Sequence, residues 1–199
     1  GELFFMSAFA TAFLTEKITY SGRELAPHWV SGKRNAFGSA LVAFCGPCMV
    51  ATEELVDLED SRVGATIQAR EMLHFLGENF SETLELAIAR QRLFAAIVLD
   101  ALRSASPAAE RLRLSREGDD IYWEAPAGRK KMSVSIVTVS PVSTLFHFAL
   151  NIDAEGAPVA AAGLNDLGVA PEAFAREILG LWATEISAQE IARAKVLPR

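Results

Sequence analysis

The sequence predicts an α+β fold: a curved, mostly antiparallel mixed sheet packed by helices. Three observations predict it. Short apolar runs broken by turn residues fill the first third, one long amphipathic stretch from Ser81 to Leu102 occupies the middle, and from Arg111 onward short alternating runs are separated by recurring turn residues. With 51% apolar residues among 199, the chain can bury a sizeable core, and its length favours one domain spanning residues 1–199.

Taken in order, Phe13 to Tyr20, Ala40 to Phe44 and Cys48 to Leu58 read as strands or mixed elements, with Ser21-Gly22 and Ser31-Gly32 as the turns between them. Met72 to Leu76 carries a short helical pattern. Ser81 is placed to cap a helix N-terminus, with Glu82 and Glu85 in the first turn complementing the dipole. The helix runs to Leu102; Leu84, Ile88, Ala95, Val98 and Leu102 fall near helical spacing, and Leu93, Phe94 and Ile97 widen the apolar stripe. Turns are then expected at Glu117-Gly118-Asp119-Asp120, at Ala125-Pro126-Ala127-Gly128 and at Ser140-Pro141 with Ser143, implying a meander. In Leu145 to Ile152, Phe146, Phe148, Leu150 and Ile152 alternate with Leu145, His147, Ala149 and Asn151, so one face is core and the other carries His147 and Asn151. Pro171 suits the first turn of a last helix with Phe174, Ile178, Leu181 and Trp182 on its apolar side.

Composition excludes some functions. A formal charge of −6, from 25 acidic and 19 basic residues, would repel phosphate backbones, so nucleic acid is not the expected partner. The longest uncharged apolar stretch, Leu3 to Leu14, is far short of the roughly 20 residues of a membrane span. Only Gly1 and Glu2 precede it, so a secretory signal with a positive leader segment is not expected. Two cysteines are no disulfide scaffold, and a reducing cytoplasm is the simplest compartment. The expected partner is a small molecule, and a homodimer is left open.

Cys45-Gly46-Pro47-Cys48 has the residues of a dithiol redox motif. That chemistry needs the motif to open a helix inside a βαβ unit, whereas Met49 to Leu58 reads as strand or loop as easily as helix. A Gly-Pro turn flanked by two small, partly buried thiols is the simpler reading.

Phe44, Gly46-Pro47-Cys48, Val56 to Asp60, Met72 to Phe75, Arg90 to Leu93 and Ser133 to Pro141 together resemble the domain of unknown function 366 family over nearly the whole chain. That family is uncharacterised and implies a fold more than a chemistry. More distantly, Trp123, Gly128 through Lys131, His147 through Asn151 and Gly163-Leu164 follow the order seen in octanoyl transferases and lipoate or biotin protein ligases, enzymes of class II synthetase-like fold. The resemblance implies that Lys131, with Lys130 as the slip-by-one alternative, contacts an acyl carbonyl or adenylate phosphate, and that His147 and Asn151 line the same site. It implies ligand contacts at Ser133 and Gly163 as well. The transferases place a cysteine nucleophile where this chain has Ala162. The ligases use a Gly-rich, Arg-containing loop, and Ser31-Gly32-Lys33-Arg34 with Gly38-Ser39 occupies that region with fewer glycines, making Arg34, Gly38 and Ser39 candidate contacts. ATP with Mg²⁺ is the cofactor that this resemblance raises.

Each candidate has a plainer reading. Lys131 can act as a point charge on an oxyanion or phosphate, or as a solvated cation beside Arg129 and Lys130. His74 faces Glu78 if Met72 to Asn79 is helical, which suits an acid or base; a core-edge histidine is the alternative. Asp57, Glu59 and Asp60, with Glu53 and Glu54, read as Mg²⁺ ligands or as a solvated acidic turn. Arg90 and Arg92 point apart on their helix, so both cannot serve one anion. The alternatives to a ligand-binding ligase-like protein are a catalytically silent binding or assembly module and a thiol redox protein.

Overall fold

The computed structural model describes residues 9–62, 64 and 66–199. A five-stranded sheet in the order β1-β2-β3-β8-β7 forms its centre, from β1 (Ala10–Phe13), β2 (Ala40–Val50), β3 (Ile67–Asn79), β7 (Ser133–Val139) and β8 (Thr144–Asp153). Only the β1–β2 pair is parallel; the other three pairs are antiparallel. A second antiparallel sheet joins β4 (Leu114–Glu117), β5 (Asp120–Ala125) and β6 (Gly128–Lys131). The expected turns at Gly118, Pro126-Ala127 and Ser140 join these hairpins, and Ser140 Oγ accepts the Val142 and Ser143 amide hydrogens at 3.2 and 3.0 Å. The meander therefore divides between two sheets.

Two long helices cover one face of the main sheet. α3 (Leu84–Ala105) is capped by Thr83, whose side chain accepts the Leu86 N–H. Ser81 is not the cap, because its amide and hydroxyl donate to Asn79 Oδ1. The buried row of α3 runs Ala87, Gln91, Phe94, Val98 and Leu102, while Leu84, in the first turn, and Ile88 are exposed. α5 (Pro171–Ala194) starts at Pro171 as expected and buries Phe174, Ile178 and Trp182, while Leu181 faces out. Phe94 is met edge-on by Phe75, Phe146, Phe148 and Trp182, at centroid distances of 5.1 to 5.3 Å.

Three local expectations are corrected. Met72 to Leu76 is the middle of β3, not a helix; with both faces of the strand buried, its apolar run is continuous and periodicity cannot identify it. Ser31-Gly32 lies inside the short helix α1 (Trp29–Arg34) rather than a turn. β2 ends at Val50, and a 3-10 turn (Thr52–Glu54) and helix α2 (Leu58–Arg62) follow. Among the described residues, no helix is long and apolar enough to cross a membrane.

Candidate functional site

The other face of the main sheet is only partly covered, and it leaves a cleft of about 600 Å³. Its floor is the apolar set Cys48, Val50, Ala69 and Met72, with Ala149 in the same cluster. A register shift makes this floor continuous: between Gly46 and Cys48 on β2, β3 advances from Met72 to Ala69, so residues three apart face the same side. Tyr20 and Leu25 close one side, and the segment from Ala157 to Ala161 forms another.

Lys131, the last residue of β6, stands where the two sheets meet. Met132, completely buried, donates its N–H to Ile121 O in the small sheet and accepts from Asn151 N in the large one, both at 2.9 Å. On its other edge Lys131 bonds through its backbone to Ala160 O and Ala162 N. The Asn151 side chain fastens this junction, since Nδ2 donates to the carbonyls of Lys131 and Ala162 at 3.3 and 3.0 Å. Two carbonyl partners fix the amide's orientation, so Oδ1 is its remaining acceptor. The Lys131 ammonium, about one-third exposed, is paired with Asp120 at 2.8 Å.

At the inner end lies a pair of buried imidazoles. His74 Nε2 is 3.2 Å from Gly46 O, and His74 Nδ1 is 3.1 Å from His147 Nε2. A carbonyl only accepts, so in the neutral ring the hydrogen of His74 is on Nε2 and Nδ1 is a lone pair. The hydrogen between the rings therefore belongs to His147 Nε2, which leaves His147 Nδ1 as an acceptor. Burial supports neutrality: it holds His74 down to about 4 against the upward pull of the Gly46 bond. Burial, and then the neighbouring His74, puts His147 well below its ordinary value. Tyr20 stacks on His147 at 3.8 Å between centroids, and Phe44 on His74 at 5.0 Å.

A third set of bonds links the cleft to α3. Gln91 Nε2 donates to Asp119 Oδ2 at 2.9 Å and to Ser135 Oγ at 2.8 Å, and Ser135 Oγ donates to the His147 carbonyl. Ser133 Oγ accepts the Ile121 N–H at 2.8 Å.

The model of the family described as "Domain of unknown function (DUF366)" matches residues 9–197. The chain belongs to this family. An uncharacterized protein of Methanocaldococcus jannaschii is 31% identical over 193 residues, covering 94% of this chain and 83% of its own. This DUF366 chain is also similar to a protein of unknown function from Pyrococcus horikoshi: 33% identity, TM-score 0.87, 96% of this chain and 100% of that one. A bipartite lipoate protein ligase from Thermoplasma acidophilum shares the fold at TM-score 0.54 and 14% identity, over 89% of this chain and 83% of its own. Biotin protein ligases share it too. The DUF366 chain thus has a lipoate/biotin ligase fold.

Of the residues singled out from the DUF366 sequence, Lys131, His147, Asn151 and Ser133 line the one cleft. His74 stands one hydrogen bond behind it. Glu78 does not orient His74: four residues of strand separate them by about 13 Å, and Glu78 instead accepts the His28 N–H and the Ser143 hydroxyl. Arg34, Gly38 and Ser39 are not brought to the cleft. They lie beyond the opposite end of β2, where Ser39 Oγ accepts the Phe80 N–H and donates to Asn79 Oδ1. Gly163 begins the short helix α4 (Leu164–Leu167), and a Cβ there would meet Ile152 O at 2.3 Å, so it is glycine because backbones touch. Arg90 pairs with Glu82 at 2.6 Å, while Arg92 is exposed on α3.

The two cysteines fall within β2, not before a helix. Cys45 packs against the helix-covered core and Cys48 against the cleft-side cluster, so a disulfide would have to cross the sheet. Burial raises both thiols, Cys45 to about 11 and Cys48 to about 12. Asp57 and Glu54 reach the cleft, and Glu54 pairs with Arg23 at 2.9 Å. The side chains of Glu59 and Asp60 lie outside the described residues. No group of three or more His, Cys, Asp or Glu is assembled to hold a metal among the described residues.

Tyr20, Asp119 and Asp120 were not singled out from sequence as site residues, and Gln91 entered only within the Arg90 to Leu93 segment. Asp119 and Asp120 carried only a turn signal, and a Tyr in a loop or a Gln inside an apolar helix carries none.

Proposed function

We propose that this cleft binds a small acyl- or nucleotide-like molecule, contacted by Lys131, His147 and Asn151. The observation that supports it best is the cleft itself: about 600 Å³, apolar on its floor, with a few convergent polar groups. Ligand sites commonly have this size and make-up. The fold adds support, since a Thermoplasma acidophilum protein of this fold holds lipoic acid and the Aquifex aeolicus biotin protein ligase holds biotin and ATP.

In this reading Lys131 directs a positive charge at a carbonyl oxygen, Asn151 Oδ1 and His147 Nδ1 accept hydrogen bonds, and Val50, Ile67 and Met72 take the apolar part. Binding without chemistry is the second reading. Two neutral, weakly basic histidines and an alanine at position 162 favour it. A triphosphate needs more positive charge than the lining supplies: among the described lining residues Lys131 is the one Lys or Arg, and Arg34 with the Gly38-Ser39 turn is remote from the cleft.

The test is a thermal-shift series with lipoate, octanoate, biotin, adenosine and ATP on the wild-type chain and on Val134→Trp, which fills the cleft from β7. A compound present at a hundred times its Kd should stabilise the wild type by about 2.7 kcal/mol and leave Val134→Trp unchanged. No shift with any compound, or an equal shift in both proteins, would overturn the reading.

A further inference from the structure

Two inner side chains of the cleft, Asn151 and His147, present acceptors, because their own donors are already used within the protein. Asn151 Nδ2 serves the carbonyls of Lys131 and Ala162, and His147 Nε2 serves His74. What remains is His147 Nδ1 and Asn151 Oδ1. The sealed side-chain atoms without a partner among the described residues are Ser31 Oγ, Arg34 Nη1 and Ser106 Oγ. His147 Nδ1 is not one of them, and its ring lines the cleft. The hydroxyls of Tyr20 and Ser133 can turn either way.

Charge points the same way. Among the described lining residues, Lys131 is the one Lys or Arg, against four carboxylates, Glu54, Asp57, Asp119 and Asp120. A carboxylate or phosphate entering deeply would meet one lining cation, which already contacts Asp120. An N–H donor there meets an acceptor at His147 Nδ1 or Asn151 Oδ1.

We propose that the inner end of the cleft is selective for an uncharged group bearing N–H donors, such as a cyclic urea or an amide-edged heterocycle, which donates to His147 Nδ1. His74 is then a positioning residue: its bond to Gly46 sets the hydrogen placement that leaves His147 Nδ1 bare. The proposal rests on the reading that the cleft holds a small ligand and specifies that ligand's head group. A group without an N–H leaves a buried acceptor unmet, a loss of about 1–3 kcal/mol, or roughly five- to 150-fold in affinity.

The experiment uses the full chain with ¹⁵N-labelled histidine and two uncharged probes, biotinamide, which has ring N–H donors, and lipoamide, which has none on its ring. Without a probe at pH 7.5, the spectrum should show His74 and His147 both neutral with hydrogen on Nε2. Hydrogen on His147 Nδ1 overturns the proposal whatever binds. Biotinamide should move the His147 Nδ1 resonance and bind at least about fivefold tighter than lipoamide, and His74→Phe should abolish that preference while lipoamide binding persists. Equal or tighter lipoamide binding sinks the head-group proposal but leaves a small-ligand cleft standing. If neither probe binds at millimolar concentration, the head-group proposal and the ligand reading fall together. Biotin binding more tightly than biotinamide would refute the exclusion of negative charge.

Discussion

The two faces of the central sheet are made by alternate residues of the same strands, and they are built on opposite principles. On the helix-covered face, Leu73, Phe75, Phe148 and Leu150 meet α3 and α5 in a dry packing centred on Phe94. On the cleft face, the intervening positions hold His74, His147 and Asn151, buried polar groups joined by specific hydrogen bonds. One face resists change through volume, the other through hydrogen-bond direction. The packed face is thus the scaffold for polar groups whose hydrogen placement could not survive in a loosely held strand.

Four measurements would break or sharpen that contrast. The largest effect is expected from Phe94→Ala, which removes the ring at the centre of the packed face. Urea unfolding should show a loss of about 3–5 kcal/mol, and a loss below about 1 kcal/mol would mean that the helices do not anchor the sheet there.

Second is acid. Because the folded His74 value, about 4, lies below the ordinary 6.5, the unfolded chain binds the proton more readily between them. Stability from this group is complete above about pH 6.5 and lost as pH falls to about 4, a loss of about 3 kcal/mol; His147 adds to it with the same sign. Unfolding free energies at pH 7, 5.5 and 4 should fall less steeply in His74→Phe than in the wild type. Parallel profiles would remove the histidine pair from the account of acid sensitivity.

The third concerns the cysteines, one on each face. With both thiols raised, reaction with a disulfide reagent at pH 8 should be on the order of a hundredfold slower than for a free thiol, and mild oxidants should give no internal disulfide. Rapid formation of a Cys45–Cys48 bond would mean that β2 opens. The smallest effect belongs to Lys131→Met: the pair with Asp120 is partly exposed, so the stability change should stay within about 1 kcal/mol. A larger loss would make Lys131 a structural element of the sheet junction.

Legibility followed the same division. β8 and the hairpins were readable because their signals are local: large apolar residues at every second position with His147 and Asn151 on the other face, or a glycine or proline at a turn. The faces of His147 and Asn151 came from those signals alone, and the α+β class from them together with the long amphipathic stretch of α3. β3 was not readable, since burial on both sides makes Met72-Leu73-His74-Phe75-Leu76 continuous. With β3 misassigned, the meeting of His74 with a histidine 73 positions away was invisible. The apolar row of α3 was right at Phe94, Ala95, Val98 and Leu102 and missed at Leu84 and Ile88, which are apolar yet exposed, and burial of Gln91 depends on partners, Asp119 and Ser135, that only the fold supplies. The dithiol motif misleads for a related reason: its glycine is required by a close approach, a Cβ there falling 1.8 Å from Ile18 O, and carries no redox meaning.

Met132 has a consequence for how such a chain can diversify. Being the single step between the small and large sheets, it sets the phase of both, so adding or deleting one residue there would turn Lys130 inward in place of Lys131 and unhook the Asn151 backbone. The cleft's chemistry could thus be rewritten by an insertion or deletion that replaces none of the residues lining it.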